Sequence, residues 1–208
     1  MTSLSATMVR QFGNPHGTLG RLAGWIMAHR ESNRERNRWT VDLLCLQPAD
    51  RVLEIGYGPG LAIAYAAERA SRGQVVGLDH SRLMQSQASA RNAQAIRAGR
   101  VDLRLGGFAA LADLPGQFDK VFAVNVFQFL PDRPQALRAL RSVMNAGALL
   151  AVTYMPRRVN AASGGTEEFA ARMRAEMAEA GFGDVRVATL DLKPTPAVCV
   201  LGRRGIGP

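Results

Sequence analysis

The stretch that decides the fold of this chain is Val52-Leu53-Glu54-Ile55-Gly56-Tyr57-Gly58-Pro59-Gly60. A short apolar run ends in three glycines at alternate positions and leads into the alanine-rich segment 61–70, which favours a helix. This order predicts a buried strand, a sharp turn and a helix. Glycine suits the turn because it tolerates positive φ and, having no Cβ, lets a ligand approach the backbone closely.

A second apolar run, Val75-Val76-Gly77-Leu78, ends at Asp79. In a βαβ unit the two strands are parallel neighbours, so Asp79 would lie at the same carboxyl edge as the glycine turn. A carboxylate at that place accepts hydrogen bonds from ribose hydroxyls. The alternative is a glycine turn without a ligand, which would not require an acid there. The two runs therefore predict a nucleotide site.

The spacing of the glycines indicates which nucleotide binds. The pattern is E-x-G-x-G-x-G, with Pro59 inside it, whereas the dinucleotide fingerprint is G-x-G-x-x-G. A pyrophosphate is therefore not the expected ligand, which argues against a nicotinamide oxidoreductase. The pattern resembles the first motif of class I S-adenosylmethionine-dependent methyltransferases, and the resemblance runs from about residue 40 to the C-terminus. It implies S-adenosylmethionine as the cofactor and methyl transfer as the reaction.

The resemblance also implies the residues that bind the cofactor near the first two strands. Glu54 would brace the loop, the glycines would pass under the methionine part of the cofactor, and Asp79 would bind the ribose. His80 would pack against one adenine face, or else lie on the surface at the start of a helix. This part of the predicted site comprises Glu54, Gly56, Tyr57, Gly58, Gly60, Asp79 and His80.

The third predicted strand ends at Gly106-Gly107-Phe108. Many members of the family have an acid at the position of Gly107, where it binds the adenine amino group. The Phe108 backbone N–H would still donate to the adenine ring. The missing carboxylate contact would have to come from Asp102 or Asp113.

The fourth predicted strand ends at Asn125-Val126-Phe127-Gln128-Phe129. In small-molecule methyltransferases of this family, that strand end lies between cofactor and acceptor, so Asn125 is a candidate for contact with the cofactor's amino group. Phe127, Gln128 and Phe129 would shape the acceptor pocket, with core packing as the alternative for the phenylalanines. The sequence is not the Asp/Asn-Pro-Pro-Tyr/Phe signature, which counts against an amino-directed nucleic-acid enzyme.

Alternating strand and helix patterns predict an α/β fold. Strands are expected near residues 51–56, 74–79, 101–105, 118–124, 147–154, 184–190 and 196–202, and helices near 60–71, 82–98, 133–145 and 166–180. Ser81 and Thr166 are predicted N-caps. The turn at residues 193–196 joins the last two strands as a hairpin. We expect a doubly wound seven-stranded sheet, mostly parallel, with an antiparallel last strand, as the resemblance implies.

The domain prediction is a single compact unit with two parts. Residues 1–48 would form an N-terminal helical lid or substrate segment, and residues 49–208 the S-adenosylmethionine-binding domain. The sulfonium methyl is already activated, so a base is needed only if the acceptor carries a proton. His16 and Tyr154 are the catalytic candidates, although neither has a sequence partner, and His16 as a plain loop residue is the alternative.

The net charge and the cysteines are weaker indicators of function than the motifs. The net charge is +9, but all except two of the 26 basic residues are arginines, a bias that often reflects a GC-rich genome. Nucleic acid is therefore an unlikely partner, and a homodimer is possible. With no signal peptide and no membrane span, we expect a cytoplasmic protein. Cys45 and Cys199 are predicted to be buried free thiols, and no metal site is expected.

Three functions remain open. The first is methyl transfer to a small-molecule, quinone-like or lipid acceptor. The second is an RNA- or protein-modifying methyltransferase, which the positive charge favours and the absence of an appended RNA-binding domain opposes. The third is a cofactor-binding protein without catalysis, which is suggested by the missing adenine acid.

Overall fold

A seven-stranded sheet lies at the centre of the computed structural model, which describes residues 31–114, 116–156, 165–193 and 195–205. The strands are β1 (Arg51–Ile55), β2 (Gln74–Asp79), β3 (Val101–Leu105), β4 (Phe118–Val124), β5 (Met144–Tyr154), β6 (Phe182–Leu190) and β7 (Ala197–Arg204). Their order is β3-β2-β1-β4-β5-β7-β6. Strands β1 to β5 pair in parallel, whereas β7 is antiparallel to both β5 and β6. The predicted fold class is confirmed.

Helices cover both faces of this sheet. They are α1 (Glu31–Leu43), α2 (Leu61–Arg69), α3 (Arg82–Arg91), α4 (Ala93–Arg97), α5 (Arg133–Ser142) and α6 (Gly165–Glu179), with 3₁₀ turns at Phe108–Asp113 and Phe127–Phe129. One core layer lies under α5 and α6, where Leu137 and Met173 are buried. The other lies under α1 to α3, where Val41 and Ile63 are buried. Most residues of the inner strands are apolar because these strands are covered on both faces.

The strand order reverses between β1 and β4. Strand β1 pairs with β2 on one side and with β4 on the other. In open parallel sheets, ligands bind in the crevice at the carboxyl ends of the strands where the order reverses. The fold therefore places a ligand crevice beside the glycine turn that follows β1.

Several predicted element boundaries were wrong for local reasons. The helix expected over 82–98 is divided at Asn92, whose buried side-chain Nδ2 donates to the carbonyl oxygens of Ala88 and Gly60. The helix expected to reach residue 145 ends at Ser142, because buried Met144 already begins β5. Ser81 is confirmed as an N-cap, with its Oγ accepting from the Met84 N–H at 3.4 Å.

Two further predictions need correction. Thr166 is the second residue of α6 and not its N-cap, since the helix begins at Gly165. Cys45 is exposed, because α1 ends at Leu43 and Cys45 adopts a positive φ of 49° in the turn that follows. Cys199 is buried in β7, as expected.

The described part of the N-terminal segment packs onto the sheet. Val41 and Leu44 are fully buried in the layer beneath α1 and α2, and the hydroxyls of Thr40 and Thr153 lie 2.8 Å apart. Residues 1–30, including His16, lie outside the described residues. Among the helices that are described, none combines the length and the apolar character needed to cross a membrane.

Candidate cofactor and acceptor site

The three glycines of the loop at residues 56–60, called the glycine loop below, all have positive φ, from +50° to +76°. A Cβ on Gly56 would collide with the side chain of Val126, and one on Gly60 would lie 2.7 Å from the Ala88 Cβ. A Cβ on Gly58 would meet nothing within 4 Å. Packing therefore requires the outer two glycines, whereas Gly58 borders open space at the carboxyl edge.

The carboxylate of Asp79 is fixed at the end of β2. Its Oδ2 accepts the Gly58 N–H at 2.9 Å and its Oδ1 accepts the Ser81 N–H at 2.9 Å. The residue is only 6% exposed. An ionised carboxylate has about four lone-pair positions, so two remain for a ligand. The Nδ1 atom of exposed His80 lies 3.9 Å from Asp79 Oδ1, at the same edge.

Glu54 lies beneath the loop, near the end of β1, and is 2% exposed. It accepts the backbone N–H of Ile63 in the first turn of α2, which Gly60 cannot cap because it has no side chain. Burial, and then the negative charge of Asp79, raise the pKa of Glu54 well above its usual value. Its Oε2 is buried and has no hydrogen-bond partner among the described residues. Glu54 therefore joins the strand to the helix across the loop.

Tyr57 turns its ring away from the open edge and into the core. Its hydroxyl lies 3.4 Å from the Arg104 carbonyl oxygen, and its ring packs over Gly77. Burial is the main reason that the phenol pKa is raised. The side chain supports the loop from below.

The region after β3 has open space where many family members have an acid. Gly107 is exposed, has extended backbone angles, and a Cβ there would meet nothing within 4 Å. The Phe108 ring packs edge-to-face with Phe127, with centroids 6.2 Å apart. Neither alternative acid is poised to replace the missing one, because Asp102 accepts from Arg104 Nε at 2.9 Å and Asp113 is exposed on the 3₁₀ turn.

Asn125 connects the ends of β4 and β5. It has a positive φ of 57°, its N–H donates to the Thr153 carbonyl, and its Oδ1 accepts the Met155 N–H at 2.8 Å. The turn places Val126 against Gly56. Asn125 thus lies between the glycine loop and the end of β5, and its contact with a cofactor stays a prediction.

A cavity of about 160 Å³ lies at the carboxyl ends of β4 and β5, and we call it the β4–β5 cavity. Its walls are Gln128, Arg133, Tyr154, Gly165, Glu168, Phe169 and Arg172. The rings of Tyr154 and Phe169 stack at 4.4 Å, and the Arg133 guanidinium lies 5.9 Å above the Phe169 ring. Burial raises the pKa of Tyr154, so the phenol is protonated at neutral pH.

Sequence reasoning placed the glycine loop and Asp79 at one edge correctly but missed the residues that support them. Val126 and Asn92 pack on the loop, and Arg91 Nε donates to the Pro59 carbonyl at 2.9 Å. Arg133 and Phe169 of the cavity were missed as well. The sequence carries no local signal for them, since they come from helices whose orientation depends on long-range packing.

The comparisons with known proteins agree with this geometry. A family model described as a methyltransferase domain matches residues 52–147. The uncharacterized methyltransferase YdaC of Bacillus subtilis is 29% identical over 88% of this chain and 98% of its own length. The 2-phytyl-1,4-naphtoquinone methyltransferase of Synechococcus elongatus is 33% identical over 62% of this chain, which spans only about half (54%) of that relative.

A solved structure with the same fold is magnesium protoporphyrin IX methyltransferase of Synechocystis PCC 6803 with bound SAH. It has a TM-score of 0.69 and 17% identity, and the match covers 96% of this chain and 100% of that one.

The sheet order, the glycine loop and these matches define the class of protein. Together they support a class I S-adenosylmethionine-dependent methyltransferase. The protein is an enzyme, and S-adenosylmethionine is its cofactor, as the resemblance of the glycine motif to this family implied. The role of each predicted site residue stays a proposal.

Proposed function

We propose that this methyltransferase acts on a small-molecule acceptor that binds in the β4–β5 cavity, with in-line transfer of the methyl group. The observation that carries the proposal is the position of this cavity. It opens at the same carboxyl edge as the glycine loop, and Asn125 joins the two regions through Met155 and Val126.

The volume of the cavity limits the acceptor. A cavity of roughly 150 Å³ in another protein holds one benzene ring, and the β4–β5 cavity measures about 160 Å³. One ring or a short unsaturated chain therefore fits, and any longer tail would extend outside. The naphtoquinone relative supports a ring-bearing acceptor, which agrees with the quinone-like class expected from the sequence.

The cofactor is assigned to the loop side of the crevice. Asp79 would accept the ribose hydroxyls with its two remaining lone pairs, and the open space above Gly58 would hold the methionine part. The Phe108 N–H would bind the adenine ring next to Gly107, with exposed His80 at the adenine face. The Asn125 backbone carbonyl would accept from the cofactor's amino group.

The protein's main contribution to the reaction is alignment. The sulfonium methyl of S-adenosylmethionine supplies an activated carbon, so the walls of the cavity have to orient the acceptor and exclude water. Orientation of this kind contributes up to about 7–11 kcal/mol in ideal cases. Tyr154 is protonated, so its role would be to donate a hydrogen bond to an acceptor oxygen and not to remove a proton.

The N-terminal segment is proposed as the lid. Helix α1, which follows residues 1–30 in the chain, is anchored to the sheet through Thr40 and Val41. His16 belongs to this preceding part and stays a proposed base. Deletion of residues 1–18 is expected to reduce methyl transfer much more than cofactor affinity. Equal turnover by the truncated protein would contradict the lid.

The test of the acceptor class is an assay of SAH release with three sets of acceptors: extracted small metabolites including quinols, total RNA, and protein. We expect turnover with the first set. A Tyr154→Phe variant, which keeps the stacked ring, should lower turnover several-fold without changing SAH affinity. Activity confined to RNA or protein would contradict this proposal and indicate an RNA- or protein-modifying methyltransferase instead.

A further inference from the structure

Arg133, the first residue of α5, has an unusual combination of burial and contacts in the wall of the β4–β5 cavity. Its side chain is 17% exposed, and its NH2 donates to Oε1 of Glu176 on α6 at 2.7 Å. The guanidinium also lies over the Phe169 ring. The arginine is therefore held from behind by a carboxylate and an aromatic face.

This pairing leaves most of the guanidinium unused. Arginine has five N–H donors arranged in a planar fork. Among the described residues, only the bond from NH2 to Glu176 engages them, and Glu176 Oε2 is buried without a partner. Arg133 lines the cavity, whereas Glu176 does not. The remaining N–H donors of Arg133 are therefore available to a ligand in the cavity.

Two neighbouring groups add polar contacts. Gln128 contributes a carboxamide whose Oε1 is buried and has no partner in the described part of the chain. Tyr154 contributes a protonated hydroxyl, and its ring stacks on that of Phe169. The wall thus combines a forked cation, neutral hydrogen-bonding groups and a flat aromatic surface.

We propose that the acceptor is a planar carboxylic acid, aromatic or unsaturated, whose carboxylate is anchored by Arg133 while another atom of the same molecule receives the methyl group. This inference rests on the proposed small-molecule function. A planar fork binds a carboxylate through two parallel hydrogen bonds. A dianionic phosphate fits less well, because Glu168 and Glu176 already balance Arg133 and Arg172 around the cavity.

The test measures binding to the SAH-loaded protein, so it does not depend on which atom is methylated. The probes are 4-hydroxybenzoate and 4-hydroxybenzamide, which differ only in the anionic group, and titration calorimetry gives their affinities. We expect the acid to bind at least tenfold more tightly than the amide. Equal affinities, no binding of the acid, or preference for phenyl phosphate over the acid would overturn the inference.

Variants then test whether Arg133 is responsible. Removing Arg133 alone would leave Glu176 buried and unpaired, so the variant of choice is the double substitution Arg133→Gln with Glu176→Gln. It should weaken acid binding by about tenfold to a hundredfold, the size of a charge-assisted hydrogen bond, and leave amide binding and SAH affinity unchanged. Undiminished acid binding by this variant would contradict the role of Arg133.

Arg172→Gln is the matched control, because it removes the same charge from the rim, where Arg172 is exposed and paired with Glu168. A loss of less than about threefold is expected, since exposed charges are screened by solvent. A loss as large as in the double variant would attribute the effect to general charge and overturn the specific role of Arg133. If the unsubstituted protein did not bind SAH at all, this result would instead contradict the proposed function itself.

Discussion

The two halves of the carboxyl edge are built in different ways. Around the glycine loop, backbone N–H groups already donate to both acids: Gly58 and Ser81 donate to Asp79, and Ile63 donates to Glu54, whose Oε2 alone has no partner among the described residues. In the β4–β5 cavity, Gln128 and the free donors of Arg133 have no such partners among the described residues. The cofactor half is thus preorganised by its own bonds, whereas the acceptor half retains hydrogen-bonding capacity for a ligand.

This difference suggests how substrate choice is separated from cofactor binding. The loop, Asp79 and Glu54 constrain one another, so substitutions there should affect cofactor binding or folding. The cavity residues come from α5, α6 and the strand ends, so changes there should affect the acceptor and leave the cofactor bound. The predictions below test this separation, in order of decreasing effect.

Asp79→Ala should have the largest effect on cofactor binding. It removes the charge-assisted hydrogen bonds proposed for the ribose, worth about 1.5–3 kcal/mol, and also releases the Gly58 N–H. SAH affinity measured by calorimetry should fall about tenfold to a hundredfold or more. Asp113→Ala, which removes an exposed acid from the 3₁₀ turn after β3, serves as the control. If an Asp79→Ala protein bound SAH normally, Asp79 would not be the residue that binds the ribose.

Two glycine substitutions should separate packing from ligand contact. Gly56→Ala should destabilise the fold by about 1–3 kcal/mol, because its Cβ collides with Val126. Gly58→Ala should cost less stability, since its Cβ enters open space and only the positive φ opposes it. SAH affinity of the folded Gly58→Ala protein should still fall about tenfold. Urea unfolding and calorimetry on both variants make the comparison, and identical behaviour would contradict it.

Glu54→Gln should stabilise the protein at neutral pH. The raised pKa means that the folded state binds the Glu54 proton more tightly, so stability is full below the ordinary value of 4.5 and is lost as the pH rises toward the folded-state pKa. Glutamine is never ionised and can still accept from Ile63. Each unit of pKa shift corresponds to about 1.4 kcal/mol, and each kcal/mol to about 2–4 °C in Tm.

The advantage of Glu54→Gln should appear at pH 7 and disappear near pH 4.5. Thermal unfolding across this range, with exposed Glu68→Gln as the matched control, measures it. A Tm difference that does not change with pH would show that Glu54 is ionised in the folded protein.

Gly107→Asp should give the smallest effect, and it should strengthen SAH binding, whereas Asp79→Ala and Gly58→Ala weaken it. The site has room for a Cβ and a backbone conformation that any residue adopts. If adenine binds beside Phe108, the new carboxylate should accept from its amino group and tighten SAH binding about fivefold, the value of one hydrogen bond of about 1 kcal/mol. Gly107→Ala should leave affinity unchanged. Equal affinities for the two variants would place adenine elsewhere.

The sequence predicted the parts of this protein that are local. The strand, glycine and acid pattern placed residues 54–60 and Asp79 at one edge because each depends on short stretches of chain. The end of helix α3 could not be predicted, since Asn92 breaks the helix by donating to Gly60, which is distant in sequence. Of the residues that line the β4–β5 cavity, Gln128 and Tyr154 were named from the sequence. Arg133 was missed, because it meets Glu176 only after α5 and α6 have packed.

The most direct test of the account is a crystal structure of the protein with SAH. We predict that the ribose hydroxyls lie within hydrogen-bond distance of Asp79, that the methionine part crosses Gly58, and that the sulfur faces the β4–β5 cavity near Gln128 and Tyr154. A sulfur atom directed away from this cavity, or a ribose without contact to Asp79, would contradict it.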